Sequence, residues 1–305
     1  MFNIFENRGI AGGVIQMGID GAPIVGFVKS VSGGYVKGNV AAEQAGPNYQ
    51  QFKHVATVDI EPIKVELGMS LAGPFLLWIA ETWRKGYSRR NGYVAHGDYS
   101  QTARVEQVFM NALLSEVGFP TLDATSKDSL YLNCTIVPEQ LELIPGMGPM
   151  IGLVPGAQKM YQASRFIVNI DGIDCTGITK IDGFTVKQKV KKFSYGSFRY
   201  PEIEPTGIEF PTLTFYTGLD HAATFYAWHK MYVIDGRRDI TMEKNGQIIY
   251  MGPGFRPLMV LLLKNVGIQG VSIEKSDAGA DKIKLVKVEL FCEEIDIVPG
   301  GGFGI

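Results

Sequence analysis

The chain has 305 residues, of which 46% are hydrophobic and 20% charged, and this is a globular composition with room for two domains of ordinary size. Its formal net charge of −2 argues against a surface that holds nucleic acid or anionic membrane by bulk attraction. The longest apolar run, Leu258 to Leu263, is far shorter than the roughly 20 residues of a membrane-spanning helix, and the first residues lack a secretory pattern.

The first half of the chain predicts a series of strands interrupted by one helix. An apolar run ends in the turn Ile19-Asp20-Gly21, and Ile63 to Gly68 alternates apolar and polar residues as a half-buried strand does. Pro74 to Arg84 follows with helical periodicity, and Tyr131 to Leu143 alternates again. The helix is expected to bury one face, formed by Phe75, Trp78, Ile79 and Thr82.

The second half repeats this series. Ile170-Asp171-Gly172 is the first turn, and Leu213 to Gly218 is the alternating strand. A short helix with Phe225, Trp228, His229 and Tyr232 on one face comes next. Ile240 to Tyr250 contains an Asn-Gly pair and predicts a two-residue hairpin turn, and Lys282 to Val298 is the long last strand.

The two halves align with each other in four blocks that keep their order. The blocks begin at Met17, Ile63, Met110 and Glu139 in the first half, and at Val168, Leu213, Met259 and Glu293 in the second. Because glycines, tryptophans and Pro-Gly pairs align as well as apolar positions, the pattern indicates an internal duplication. The predicted domains are 1–146 and 164–305, joined by a Gly- and Pro-containing linker at 147–163.

The sequence offers little catalytic chemistry. His54, His96, His221 and His229 are isolated, and the three cysteines Cys134, Cys175 and Cys292 are widely spaced. This distribution predicts neither a metal site nor a disulfide framework, and it fits a reducing compartment. No Gly-rich segment opens a helix after a strand, so no nucleotide cofactor is expected. The sequence therefore predicts a protein without enzymatic activity, metal or cofactor.

The motifs of each half resemble the tail tube proteins of contractile phages, which are similar to the tubes of pyocins, extracellular injection systems and type VI secretion. The resemblance is carried by Ile170-Asp171-Gly172, by Pro211 to Leu219, by Phe225 with Trp228, and by Arg237-Arg238. The first half follows the same order more loosely. The resemblance implies a mainly β fold of two tandem antiparallel sandwich or barrel domains, each with one short α-helix.

The resemblance also implies a function in assembly. The chain would be a tail tube subunit that forms stacked rings around a conduit for DNA ejection, in a virion tail assembled in the host bacterial cytoplasm. Its partners would be other copies of itself, the tail sheath and the baseplate; DNA would pass without specific binding, and no membrane would be involved. The segments Gly33 to Gly46 and Lys191 to Glu204 are candidate arms. The candidate subunit contacts are Arg89, Arg90, Arg237, Arg238, Tyr195 and Phe198.

Two alternatives remain open at this stage. Three chains with two domains each would supply a pseudo-hexameric baseplate hub or tube initiator, whereas six chains would build a tube with an added layer. A pair of β-rich ligand- or carbohydrate-binding modules would instead use Tyr87, Tyr93, Tyr195 and Phe198 to line a groove. The two arginine pairs also have a simpler interpretation, as cations that cap the C-terminal ends of the helices.

Overall fold

The structure is a computed structural model that describes residues 13–45, 50–146, 148–150, 161–196, 198–237, 239, 242–252, 256–274 and 284–299. The predicted linker 147–163 lies largely outside these residues. The fold is mainly β, with two α-helices, and the strand pairings in the described residues are antiparallel. The mainly β fold with few helices that the alternating pattern predicts is therefore confirmed.

The described part of the first half contains ten strands and one α-helix. In chain order they are β1 Val14–Ile19, β2 Val28–Gly33, β3 Val36–Ala45, β4 Gln50–Ile60, β5 Ile63–Gly68, α1 Gly73–Trp83, β6 Arg90–Gly97, β7 Ala103–Phe119, β8 Leu122–Asp123, β9 Tyr131–Val137 and β10 Gln140–Pro145.

Where the structure describes the second half, it contains eight strands and one α-helix, which a π turn at Lys230–Ile234 extends. In chain order they are β11 Phe166–Ile170, β12 Ile178–Ile181, β13 Phe184–Phe193, β14 Glu202–Glu209, β15 Leu213–Gly218, α2 Ala223–His229, β16 Lys244–Met251, β17 Pro257–Ile273 and β18 Leu285–Pro299.

The two large sheets have matching strand orders. The first runs β1-β6-β7-β9-β5-β2, and β10 also pairs with β7; the second runs β11-β16-β17-β18-β15-β12. The long strand β18 takes the place of both β9 and β10, because it runs beside β17 over almost its whole length. Each half thus contributes the same six-position sheet, which agrees with the order of the sequence blocks.

Each α-helix carries a buried tryptophan whose indole N–H has a hydrogen-bond partner. The indole N–H of Trp78 donates to the Ser88 carbonyl at 2.9 Å, and that of Trp228 donates to the Met242 carbonyl at 3.1 Å. Both rings are fully buried, so the one polar atom of each indole has the partner that burial demands. The predicted helical face of the first half is confirmed, since all four of its residues are buried.

Two asparagines fix how the halves correspond along β7 and β17. Asn111 and Asn265 both have positive φ, at 51° and 49°, a conformation in which asparagine is enriched. Their backbone N–H groups donate to the side-chain oxygens of Asn91 and Asn245. Asn111 therefore corresponds to Asn265. Met110 then corresponds to Lys264, and the third sequence block, which aligns Met110 with Met259, is displaced along the strand, because the continuous apolar run Leu258 to Leu263 has no alternation that would fix its alignment.

The hairpin predicted within 240–250 is not formed at its Asn-Gly pair. Asn245 and Gly246 lie at the start of β16, where Gly246 pairs with Ile170 on one side and Leu263 on the other. A strand held by ladders on both edges stays extended, so the pair does not turn. Residues 240 and 241 lie outside the described part of the chain.

Candidate functional site

The two halves are joined by strand pairing. β13 of the second half adds to β7 of the first, with Phe184 opposite Phe119 and Val186 opposite Val117. In return, β8 of the first half pairs with β12 of the second. Each half therefore extends a sheet of the other, and backbone hydrogen bonds of this kind satisfy an edge that would otherwise be open.

Aromatic rings fill the space beside this strand pair. The Phe119 and Phe184 rings are stacked, with centroids 5.1 Å apart and an interplanar angle of 14°. Trp83, the last residue of α1, lies 5.9 Å from Phe119 and meets Phe210 edge-on at 6.5 Å. The Phe119 ring also lies 6.3 Å from Tyr250. Since these residues come from both halves, the junction is a continuous part of the hydrophobic core.

A bidentate ion pair ties the end of α1 to β18. The Arg84 guanidinium donates through Nε at 3.0 Å and through Nη2 at 2.8 Å to the Asp296 carboxylate. Asp296 is buried, and the paired geometry gives both carboxylate oxygens a donor. The ion pair therefore fixes the end of α1 against the other half.

Arg89 makes the second polar contact across the junction. Its guanidinium donates to Glu139 of its own half, and also to the Ile203 carbonyl and the Glu204 carboxylate on β14. Glu139 in turn accepts the Ile203 N–H at 3.2 Å. The structure thus places this sequence-predicted contact residue where the two halves of one chain meet.

The other arginine candidates have different positions. Arg90 begins β6 and donates to Glu81 of α1 at 3.0 Å, so it does not contact the second half through this pair. The last turn of α1 contains no basic residue, and the helix-cap interpretation of Arg89 and Arg90 is therefore wrong. Arg237 is exposed just after the π turn, and Arg238 lies outside the described residues.

Tyr195 and Phe198 form part of the connection between β13 and β14. Both side chains are exposed, and the Phe198 N–H donates to the Tyr195 carbonyl at 3.0 Å. Tyr93, a further member of the alternative groove, donates its hydroxyl to the Pro23 carbonyl at 2.8 Å. Among the described residues, no ring contact joins two members of the predicted groove set, so the structure does not bring those aromatics together.

The hairpin β3–β4 lies open to solvent. It forms a two-stranded sheet of its own, and its described side chains are exposed on both faces apart from Ala41, Val58 and Ile60. Four exposed apolar residues lie on it, Val36, Val40, Phe52 and Val55. A lone two-stranded hairpin has little stability in water, and exposed apolar clusters mark contact surfaces. The hairpin is therefore suited to pack against another molecule.

A titratable cluster that the sequence did not reveal lies at one end of the second sheet. The Asp174 carboxylate accepts from the Thr176 hydroxyl at 2.5 Å and lies 2.9 Å from His221 Nδ1. Asp174 raises the pKa of His221, and hydrogen bonds from Thr176 and His221 lower the pKa of Asp174 to about 2. Asp174 and His221 are far apart in sequence, so the spacing gives no signal of this pair.

The geometry of this cluster is that of a structural contact between two turns. The Thr176 hydroxyl lies on the same side of the ring as Asp174, 3.3 Å from Nδ1, while Nε2 of His221 lies 3.5 Å from the Asp220 carboxylate. A nucleophilic hydroxyl served by this imidazole would sit at Nε2, opposite the carboxylate-bound nitrogen. The arrangement therefore holds the turn after β11 against the turn after β15.

The remaining chemistry of the described residues is limited. In the part of the chain that the structure describes, no three His, Cys, Asp or Glu side chains are grouped to hold a metal ion. No helix in that part has the length and apolarity to cross a membrane. Cys134, Cys175 and Cys292 are free thiols. Burial raises the pKa of Cys175 to about 11 and that of Cys292 to about 12, which keeps these two in the unreactive protonated form.

The chain was compared with known proteins. No family model matches it, and no curated protein matches it. Among solved structures, a chain of the anti-feeding prophage tube-terminating cap matches with a TM-score of 0.40 and 17% identity, over 47% of this chain and 93% of the other. A chain of the sheath–tube complex of an extracellular contractile injection system (PVC), in its extended state, matches with a TM-score of 0.38 and 17% identity, over 48% and 94%.

A third similar structure is a chain of the anti-feeding prophage baseplate. Its TM-score is 0.37 and its identity 14%, over 44% of this chain and 93% of the other. All three structures are components of contractile injection systems. At these scores and identities, the likeness assigns no function to the chain.

Proposed function

We propose that this chain is a structural subunit of a contractile tail or injection system, and that its two halves are duplicated building blocks of a ring around a hollow conduit. The observation that carries the proposal is the pairing of β13 with β7, by which one half extends the sheet of the other. A chain whose two halves join by strand pairing can join further copies of itself by the same kind of pairing. The sequence resemblance to tail tube proteins supports the same role.

The proposed role is structural rather than enzymatic. The polar contacts at the junction, such as Arg84 with Asp296, connect one half to the other. The hydrogen bonds from Arg89 to Ile203 and Glu204 of β14 also connect the two halves. Sheath and baseplate proteins are the proposed partners outside the ring, and DNA is proposed to pass through the ring without a specific site.

A baseplate hub or tube initiator is the second candidate. The observation that favours it is the same junction, because halves that share strand pairing lie side by side in one layer. In the sixfold ring that the resemblance implies, three chains would then supply all six positions. Six chains of two halves each would need a second layer or a wider ring.

Assembly of the purified protein tests the proposal. Mass photometry measures the mass of the particles, and negative-stain microscopy shows their shape. Rings or tubes are expected, and a persistent monomer of 33.5 kDa would contradict the proposal. Capped rings of three chains would favour the hub, whereas tubes that lengthen with protein concentration would favour the main tube.

A further inference from the structure

We propose that the open β3–β4 hairpin of one chain adds to the edge of β17 in a second copy of the chain, with Val36 opposite Val271. The inference rests on the proposed role as a ring-forming subunit, and it specifies the partner surface and the register. It follows from the junction within the chain, where β13 of the β13–β14 hairpin pairs with β7.

The hairpin β3–β4 has the same construction as β13–β14. Lys37 is opposite Asp59 in the first hairpin, and Lys187 is opposite Glu209 in the second. Each hairpin then shifts register by one residue two positions further on, after Asn39 in one and after Lys189 in the other. Counting back from the lysines, Val36 has the place in its hairpin that Val186 has in the other.

The strands β7 and β17 also match position by position. β7 shifts register against β9 after Leu114, and β17 shifts register against β18 after Ile268. The positive-φ asparagines described above occur three residues before these shifts. Val271 therefore has the place in β17 that Val117 has in β7. Since Val186 pairs with Val117 within the chain, Val36 is expected to pair with Val271 between chains.

The edge of β17 that this pairing needs is open. β16 pairs with β17 only as far as Val266, and among the described residues no other strand continues along that edge. In the first half, β6 likewise ends at Ala112, and β13 takes over the edge from Glu116. Among the described residues, the second half thus has the corresponding strand edge but no strand paired along it.

Side-chain exposure differs between matched positions as the proposal requires. Val36 is 37% exposed and Val186 is 2% exposed, while Ile273 is 59% exposed and its counterpart Phe119 is 3% exposed. In each pair, the buried member lies at the junction within the chain and the exposed member lies on a surface that the proposal covers. Burial of these apolar side chains is the favourable contribution that association would add.

The surroundings of the helices show the same difference. Trp83 and Arg84, at the end of α1, contact the second half, whereas their counterparts Val233 and Ile234, after α2, are exposed. The strand that α1 packs on, β18, corresponds in part to β10 of the first half, and β10 is exposed at the matching position. Leu143 of β10 is 64% exposed, and its counterpart Ile297 of β18 is 1% exposed. The exposed residues after α2 would cover Leu143 in the next chain.

The charges at the two contact surfaces are complementary. Trp78 and Trp228 bind the carbonyls of Ser88 and Met242, so the residue that follows Ser88, Arg89, corresponds to Glu243. The fourth sequence block aligns Glu139 with Glu293. The second half therefore presents two glutamates where the first half has an arginine and a glutamate.

Relative to the β13–β14 hairpin, the β3–β4 hairpin gains basic residues where the other has an apolar and an acidic residue. By the register of the two hairpins, Ile203 and Glu204 correspond to Lys53 and His54. The hairpin that meets Arg89 within the chain thus has a glutamate, and the hairpin proposed to meet Glu243 has a lysine and a histidine. Both Lys53 and His54 are exposed, which leaves them available to a partner.

A contact of this kind is head-to-tail, because the first half of one chain joins the second half of the next. Repeated contacts close into a ring when the rotation between units divides a full turn. First and second halves then alternate around the ring, and every junction uses one hairpin and one strand edge.

Disulfide cross-linking tests the register. The double variant Val36→Cys with Val271→Cys is expected to give covalently linked chains under mild oxidation, because directly opposite residues of an antiparallel pair lie within disulfide reach. Val40→Cys with Val271→Cys is the mismatched control, since four residues along a strand displace the thiol by about 13 Å. Val117→Cys with Val186→Cys is the positive control within one chain, and each single variant controls for the native thiols.

The outcomes separate this inference from the proposed function. Linked chains in the matched variant, and few in the mismatched one, support the register. Assembled particles with no matched cross-link, or with equal cross-linking of both variants, overturn the register and leave the proposed function in place. Cross-linked chains that never form rings would support the proposed register and contradict the proposed assembly into rings. A monomer without cross-links overturns both.

Charge exchange provides a second measurement that needs no new disulfide. His54→Glu places a glutamate opposite Glu243, and we expect it to weaken assembly about fivefold. Adding Glu243→Arg recreates between chains the pairing of Arg89 with Glu204, and it is expected to restore assembly. A double variant that assembles no better than the single one would contradict the proposed contact.

Discussion

At the residue scale, His221 and Asp174 join two turns of the second sheet by an exposed ion pair. The pKa of His221 is raised above its ordinary 6.5, and the pKa of Asp174 is lowered to about 2. The stability that protonated His221 adds to the folded state is therefore fully present below pH 6.5, and it is lost as the pH rises through the raised pKa of His221. The contribution from Asp174 is present above its unfolded pKa and is lost as pH falls through the lowered value.

The prediction is that Asp174→Asn lowers the pKa of His221 toward 6.5, because it removes the first partner of the imidazolium. A titration followed by NMR of the His221 ring protons measures the midpoint. Asp128→Asn, which changes a carboxylate elsewhere on the surface, is the control and leaves the midpoint in place. An unchanged midpoint in Asp174→Asn would contradict the pairing.

At the element scale, Arg89, the residue before β6, binds β14 of the other half, and its contribution to stability can be separated from that of Arg90. Arg89→Ala leaves the mostly buried Glu139 without its cation and is expected to reduce the free energy of unfolding by about 2 kcal/mol. Arg90→Ala removes a more exposed ion pair with Glu81 and is expected to cost less than about 1 kcal/mol. Urea denaturation measures both, and equal losses would show that Arg89 does not stabilise the junction.

Elements with strong periodicity could be predicted, whereas their partners could not. The alternating run from Ile63 predicts a strand and the pattern around Trp78 predicts a helix, since burial on one face imposes a period on the residues. The Asn245-Gly246 pair misled the hairpin prediction because pairing of β16 on both edges overrides a local turn preference. Arg89 was identified as a contact residue, but its contacts are between halves of one chain, and this proximity depends on the fold.

At the scale of the whole molecule, the exposed Leu143 tests whether an open surface serves assembly. Leu143→Asp is expected to leave the melting temperature of the isolated chain almost unchanged, since surface substitutions usually stay within about 0.5 kcal/mol. It is expected to abolish rings, because a carboxylate would be buried against the next chain. Tyr99→Asp, at another exposed apolar position, is the control. Normal assembly of Leu143→Asp, seen by mass photometry, would contradict the role of this surface.

Periodicity and turn residues are local properties of the chain, so the amino-acid sequence alone is enough to specify the mainly β fold, the position of α1 and the repeated order of motifs. Tertiary structure decided which strand edges are filled and which are open. Phe119 and Ile273 occupy matched positions in similar strands, yet one is covered by β13 and the other is exposed. Only the path of the chain through space places a partner against the first and leaves the second free, so the surface for assembly became visible in the fold.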